Sequence, residues 1–98
     1  MAVKALIKRT VPESKARDMI PLFRQMRALA THQEGYISGE TLRNLNNPEE
    51  FLVISSWQSS AAWVQWLESP DRQEIQAKID QVLGGQTRYE IYHYGFTE

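Results

Sequence analysis

From Ala2 to Arg9 the chain alternates, with Val3, Ala5 and Ile7 on one side and Lys4, Leu6 and Lys8 on the other, the period of a half-buried strand. After Pro12 the period lengthens. Ala16, Met19, Ile20, Phe23, Met26 and Ala30 recur at steps of three and four, which predicts a helix lying on a sheet. Pro21 inside that stripe removes a backbone donor and crowds the carbonyl of Arg17, so a kink or a late start is expected, and Gly35 is the stop. Tyr36 to Arg43 and Phe51 to Trp57 are β-rich, and NLNNPEE between them supplies turn chemistry, which predicts a hairpin. Ser59 or Ser60 then caps a short helix through Trp63 and Trp66 to Glu68. Ser69-Pro70 opens another, with Ile75, Ile79, Val82 and Leu83 as its buried stripe and Gly84-Gly85 as its end. The closing run QTRYEIYHYGF alternates Tyr89, Ile91 and His93 against Arg88, Glu90, Tyr92 and Tyr94, a fourth strand.

The element order is β-α-β-β-α-β with the second helix split, an α+β fold of the ferredoxin-like kind. Its helices take one face of the sheet. Leu6, Leu52, Ile54, Tyr92, Tyr94 and Phe96 supply apolar groups of one strand parity or the other for the opposite face. An exposed apolar sheet face predicts a homodimer packed sheet to sheet.

At 98 residues, 42% hydrophobic and 23% charged, the chain is expected to be a single domain over residues 1–98. It contains no apolar run of membrane-spanning length, and MAVKALIKR has no signal-peptide core, so a cytoplasmic protein with no membrane role is expected. The absence of cysteine excludes disulfides, thiol catalysis and Cys-ligated metals. The net charge of −1 conceals an asymmetry, because residues 1–27 carry +5 and residues 28–98 carry −6. The two parts can attract each other within a fold or across a dimer. The basic residues are interspersed with apolar ones, and FLVISSW lacks the basic and aromatic signature of an RNA-recognition strand, so no nucleic-acid partner is expected.

Other chemistries lack their residues. Gly84-Gly85 follows a helix and so is no phosphate loop, and the serines make no G-x-S-x-G elbow. Two histidines, His32 and His93, are too few for a protein metal site. Glu49-Glu50 falls in a turn, and Asp71 with Glu74 falls in a first helical turn, where carboxylates are solvated or favour the helix dipole.

What stands out is that Trp57, Trp63 and Trp66 lie within ten residues. Three tryptophans suit either a small core or the wall of a site for a flat aromatic ligand. Trp63 and Trp66 share a helical face, which is core if it meets the sheet and pocket wall if the broken helix stands off. His93 has the inward parity of Tyr89 and Ile91, so it is either a satisfied core histidine or a general base. His32 suits the end of the first helix. Gln76, beside the stripe of the last helix, is a boundary residue or a donor to a ligand.

The spacing Trp57-x-Ser59-x-x-Ala62-Trp63-x-x-Trp66-x-x-Ser69 resembles that of the antibiotic biosynthesis monooxygenase (ABM) family. The resemblance extends to the Gly35-Tyr36 step into strand two, the hairpin and the Tyr-rich last strand. It implies a dimeric α+β barrel with a pocket between the sheet and the split helix, and oxygen insertion into an electron-rich aromatic or quinone-type substrate with no flavin or metal required in several members. Trp57, Trp63 and Trp66 would line that pocket.

This chain departs from the family at identifiable positions. Polyketide-oxidising relatives have asparagine where Val53 stands and tyrosine at Trp63, while quinol-oxidising relatives have histidine at Trp66. The haem-degrading branch has a tryptophan like Trp66, but with a histidine near Gln76 and an asparagine near Ile7. The expected function is a monooxygenase without a tightly bound cofactor, with Trp66 and His93 as catalytic candidates and Trp57, Trp63, Gln76, Ile7 and Val53 as substrate-binding ones. The alternatives are a non-catalytic ligand-binding or dimerisation module, a non-oxidative enzyme such as an isomerase, and a haem-binding relative.

Overall fold

The computed structural model describes residues 1–85 and 87–95. Strands β1 (Val3–Thr10), β2 (Tyr36–Arg43), β3 (Glu50–Trp57) and β4 (Arg88–His93) form one antiparallel sheet in the order β2-β3-β1-β4. Helices α1 (Ala16–Ala30), α2 (Ser60–Leu67) and α3 (Pro70–Leu83) complete the ferredoxin-like arrangement. The second helix is split, as its serines predict: the Ser59 hydroxyl accepts from the Ala62 amide at 3.1 Å and the Ser69 hydroxyl from the Arg72 amide at 3.2 Å. Gly84, in the left-handed conformation, ends α3.

Pro21 does not delay α1 to its own position. A 3-10 turn at Glu13–Lys15 leads into the helix at Ala16, and Pro21 sits inside the second turn, exposed like Arg17, whose carbonyl loses its helical donor. Ile20 is 48% exposed and so falls off the apolar stripe, which runs through Met19, Phe23, Met26 and Ala30. At the other end, His32 Nδ1 lies 2.8 Å from the Ala28 carbonyl oxygen and satisfies part of the last turn.

The register sorts the sheet into two faces. Val3, Ala5, Ile7 and Arg9 of β1 lie beside Trp57, Ser55, Val53 and Phe51 of β3, and these residues face the helices. Leu6, Leu42, Leu52, Ile54 and Tyr92 share the opposite, open face, while Tyr94 follows the end of β4 and Phe96 lies outside the described residues. That face is more polar than expected. Lys8 and Glu90 pair across it at 3.0 Å, Lys4 donates to Ser56 at 2.9 Å, and the hydrogen bond and charge of Lys8 hold the Glu90 carboxyl below its ordinary range. β4 is exposed along its whole length, because it is the edge strand and extends past the cover of the helices. His93 therefore has the predicted parity, opposite Val3, without the predicted burial.

Gly35 closes the turn between α1 and β2 with φ +87°, and a Cβ there would stand 2.5 Å from the Cβ of Ala62. Its carbonyl accepts from the Gln58 amide at 2.7 Å, so the turn, β3 and α2 are fixed together. Gly35→Ala combines left-handed strain with a backbone-level clash and is expected to cost about 2 kcal/mol or more, measured as a lower urea midpoint at unchanged m-value.

Candidate functional site

A cavity of about 70 Å³ lies between α1 and the helix-facing side of the sheet, widening to about 610 Å³ when the space of its open mouth is counted. Its floor is Ile7 of β1 with Val53, Ser55 and Trp57 of β3. Phe23, Met26 and Ala30 of α1 form the roof, Tyr36, Gly39 and Thr41 of β2 form one side, and Trp66 of α2 and Arg72 of α3 close the back. Exposed Arg27, Glu40 and Thr41 border the mouth, where Arg27 donates to the Gly39 carbonyl oxygen at 3.3 Å. The inner end is shut, since Trp57 is 0% and Trp66 3% exposed.

Trp57 organises the aromatic side. Its ring stands edge-on to Tyr36 at 5.4 Å, edge-on to Trp63 at 5.9 Å and stacked on Trp66 at 6.5 Å, separations at which aromatic pairs contribute beyond area burial. Its indole N–H is satisfied by the Ser55 hydroxyl at 3.0 Å. Gly39 leaves room for Tyr36, because a Cβ at that position would come within 2.7 Å of the tyrosine hydroxyl. That hydroxyl has no hydrogen-bond partner among the described residues, and Tyr36 borders the cavity.

The other side is cationic. Arg9 is 5% and Arg72 2% exposed, yet neither has a carboxylate partner among the described residues, where the ion pair formed is Lys8 with Glu90. Instead Nη2 of each donates to one neutral atom, Gln76 Oε1, at 3.2 and 3.4 Å. The Tyr89 hydroxyl also donates to that oxygen at 3.2 Å while accepting from Arg72. Three donors on one amide oxygen exceed its two lone pairs. Gln76 is held in this orientation from behind, its Nε2 donating to Asp80 at 2.9 Å and to Thr87 at 3.1 Å. Arg9 further donates to Thr87 at 3.3 Å and lies 5.3 Å above the Phe23 ring. Burial, and secondarily the Arg72 charge, depress the Arg9 pKa to about 10. At about 10 the Arg9 guanidinium is still charged at neutral pH, and two unit charges a few ångströms apart repel by about 2–4 kcal/mol at the effective dielectric of such sites.

Of the residues singled out in the sequence, Ile7, Val53, Trp57 and Trp66 meet on the cavity wall. Trp63 is 2% exposed but lies behind Trp57, against Tyr89 at 6.2 Å, and Gln76 lies behind the two arginines. His93 is exposed and off the wall. Arg9, Tyr36 and Arg72 were not singled out, although two of them carry a signal. Arg9 continues the inward parity of Val3, Ala5 and Ile7, and Arg72 precedes Ile75 and Ile79 by three and seven residues, on the buried stripe of α3. A charged residue on an apolar face, without a charged neighbour at helical or strand spacing, is the pattern that would have marked them.

Comparison with known proteins bears on the fold and the family. The sequence profile described as antibiotic biosynthesis monooxygenase matches residues 2–78, and the chain belongs to that family. Among solved structures, a conserved protein from Methanosarcina mazei Go1 is similar at 22% identity and TM-score 0.87, over 95% of this chain and 92% of that one. SnoaB, a cofactor-independent oxygenase from Streptomyces nogalater, is similar at 17% identity and TM-score 0.80, over 98% and 95%. A putative antibiotic biosynthesis monooxygenase from Nitrosomonas europaea follows at 10% and 0.85, over 97% and 91%. These likenesses show the fold. No curated protein matches the chain significantly.

Gln76→Leu would remove the shared acceptor and strand two buried cations. A loss of about 2–4 kcal/mol is expected from urea unfolding at pH 7. A loss under 1 kcal/mol would show that water serves the arginines as well.

Proposed function

We propose that the protein is a monooxygenase that oxidises a small electron-rich aromatic substrate, of quinol or anthrone type, in the cavity under α1 without a resident cofactor. The observation that carries this reading is the aromatic wall of Tyr36, Trp57 and Trp66 set beside the buried guanidiniums of Arg9 and Arg72 on one cavity. Family membership and the likeness to a cofactor-independent oxygenase support it.

With an anthrone, the substrate loses a proton from its ring CH₂ and becomes an enolate. The enolate passes its electrons to dioxygen, a C–O bond forms, and the peroxide anion takes up a proton. Loss of water leaves a ketone in place of the CH₂. One oxygen atom enters the product and the other leaves as water, with all four electrons supplied by the substrate. The protein's part is to stack the ring on Trp57 and Trp66, pack its edge on Ile7 and Val53, and stabilise the developing oxyanion with the Tyr36 hydroxyl and the nearby guanidiniums. Trp63 fixes Trp57 from behind, and Gln76 fixes the arginines. The proton passes to solvent at the mouth, beside exposed Arg27 and Thr41. His93 has no role in this scheme because it lies off the wall.

The working form is a cytoplasmic homodimer in which two sheets pack into an α+β barrel. The exposed Tyr92 of β4, with Leu42 beside Leu52 and Ile54 on the open face, supports this, as does the common dimeric state of the family. No helix among the described residues is long and apolar enough to cross a membrane. Sedimentation is expected to give twice the 11.4 kDa protomer mass, and Ile54→Glu, which places a charge on the open face, to give the protomer. A wild-type protomer at micromolar concentration would rule out the barrel.

The reaction is tested with an oxygen electrode and two substrates, an anthrone and a reduced naphthoquinol. The expected result is catalysed oxygen uptake with at least one of them, falling about 100-fold in Trp66→Ala while most of the protein stays folded. The second reading, a non-catalytic binding module, is favoured by the apolar Val53 and Trp63 at positions where relatives are polar. Ligand quenching of tryptophan fluorescence without oxygen uptake would select it.

A further inference from the structure

We infer that the substrate is a ring-bearing carboxylate, its acid group held by Arg9 and Arg72 while its ring lies against Trp57 and Trp66. The inference rests on the proposed function only in naming the cavity as the reaction site, and its binding chemistry is independent of turnover.

Both arginines are buried, both line the cavity, and both direct an Nη2 nitrogen at a single neutral oxygen. A neutral acceptor shared by two cations and a phenol is the arrangement of a site awaiting an anion, because a carboxylate brings two oxygens and about four lone-pair positions to N–H groups that now compete for one atom. The guanidinium forks still hold unused donors. Among the described residues Arg9 uses Nε and one Nη2 hydrogen, and Nη1 of Arg72 meets only the Leu67 carbonyl oxygen, at 3.4 Å. Planar guanidinium suits planar carboxylate in two-point contact, which an ammonium would not offer.

The nearest acidic group in the network cannot serve instead. Asp80 is bound to the amide nitrogen of Gln76 and makes no ion pair with either arginine among the described residues, so its charge offsets only part of the effect of burial on Arg9. A permanent charge on the bound molecule would offset the repulsion between the cations, and the same cations would favour enolate formation next to the acid. The aromatic wall meanwhile selects for a ring of low polarity. Ring and charge together exclude both simple inorganic anions and neutral quinones as the best ligands.

The test uses 2-naphthoate and its neutral counterpart 2-naphthamide, titrated into the wild-type protein at pH 7 with tryptophan fluorescence as the readout. The acid is expected to bind at least 10-fold more tightly than the amide, and this preference should fall to about twofold in Arg9→Met and in Arg72→Met. Gln76→Glu would place a carboxylate between the two arginines. It is expected to raise the thermal midpoint and to abolish naphthoate binding while leaving naphthamide binding intact, an outcome that a merely disrupted fold would not give. Equal affinity for acid and amide, absence of binding by both, or an undiminished preference in both arginine variants would overturn the inference. Oxygen uptake with a neutral anthrone and no preference for the acid would overturn it alone. A strong preference for the acid, with no oxygen uptake even from a carboxylated anthrone, would instead overturn the oxygenase reading.

Discussion

Two guanidiniums inside a small domain, both leaning on one amide oxygen, set the terms for the rest of this structure. Leaving either without hydrogen bonds would be far more costly than the network that holds them, so the chain surrounds them with neutral polar groups: Gln76, Thr87, Tyr89 and the Leu67 carbonyl. These partners come from α3, from β4 and the residue before it, and from the break between α2 and α3. The polar cluster thereby ties the split helix to the edge of the sheet, where apolar contact is sparse.

The same arrangement divides the helix-facing layer into two cores. Val3, Ala5, Ile7 and Ala30 pack with the three tryptophans, while Val11 and Met19 pack with Ile75 and Ile79. Arg9 follows the first group along β1, and its guanidinium over Phe23 borders the second. Met26 and Leu29 of α1 pack against both groups and join them on the helix side. Keeping a charged side chain at Arg9 preserves the open space, at a cost in stability that a purely structural domain would have no reason to retain.

The fold was legible because each of its elements is locally consistent. The period of β1, the stripe of α1, the serine caps and the Gly35 and Gly84 stops agree with one another and with the global topology. The site was half legible. Tryptophans announce themselves by rarity, and Trp57 and Trp66 are on the wall, but nothing local distinguishes Trp63 behind the wall from Trp66 on it. Arg9 and Arg72 were hidden by the habit of counting charges as solvated. Parity showed where their backbones point, and only the packed structure shows that no carboxylate among the described residues pairs with them. His93 failed for a related reason: strand parity gives the side of a sheet, whereas burial depends on how far the helices reach across it.

The position of β4 has a consequence for how the chain is made. It is synthesised after β1, β2 and β3, yet it supplies Tyr89 to the cation cluster and pairs with β1. Until it arrives, β1 is itself an edge, carrying Val3, Ala5 and Ile7 beside unpaired backbone groups, and is open to strand addition from another molecule. A nascent protomer therefore passes through a stage in which β1 lacks a neighbour on one side. The order of synthesis, rather than the stability of the finished protein, sets the period when aggregation competes with folding.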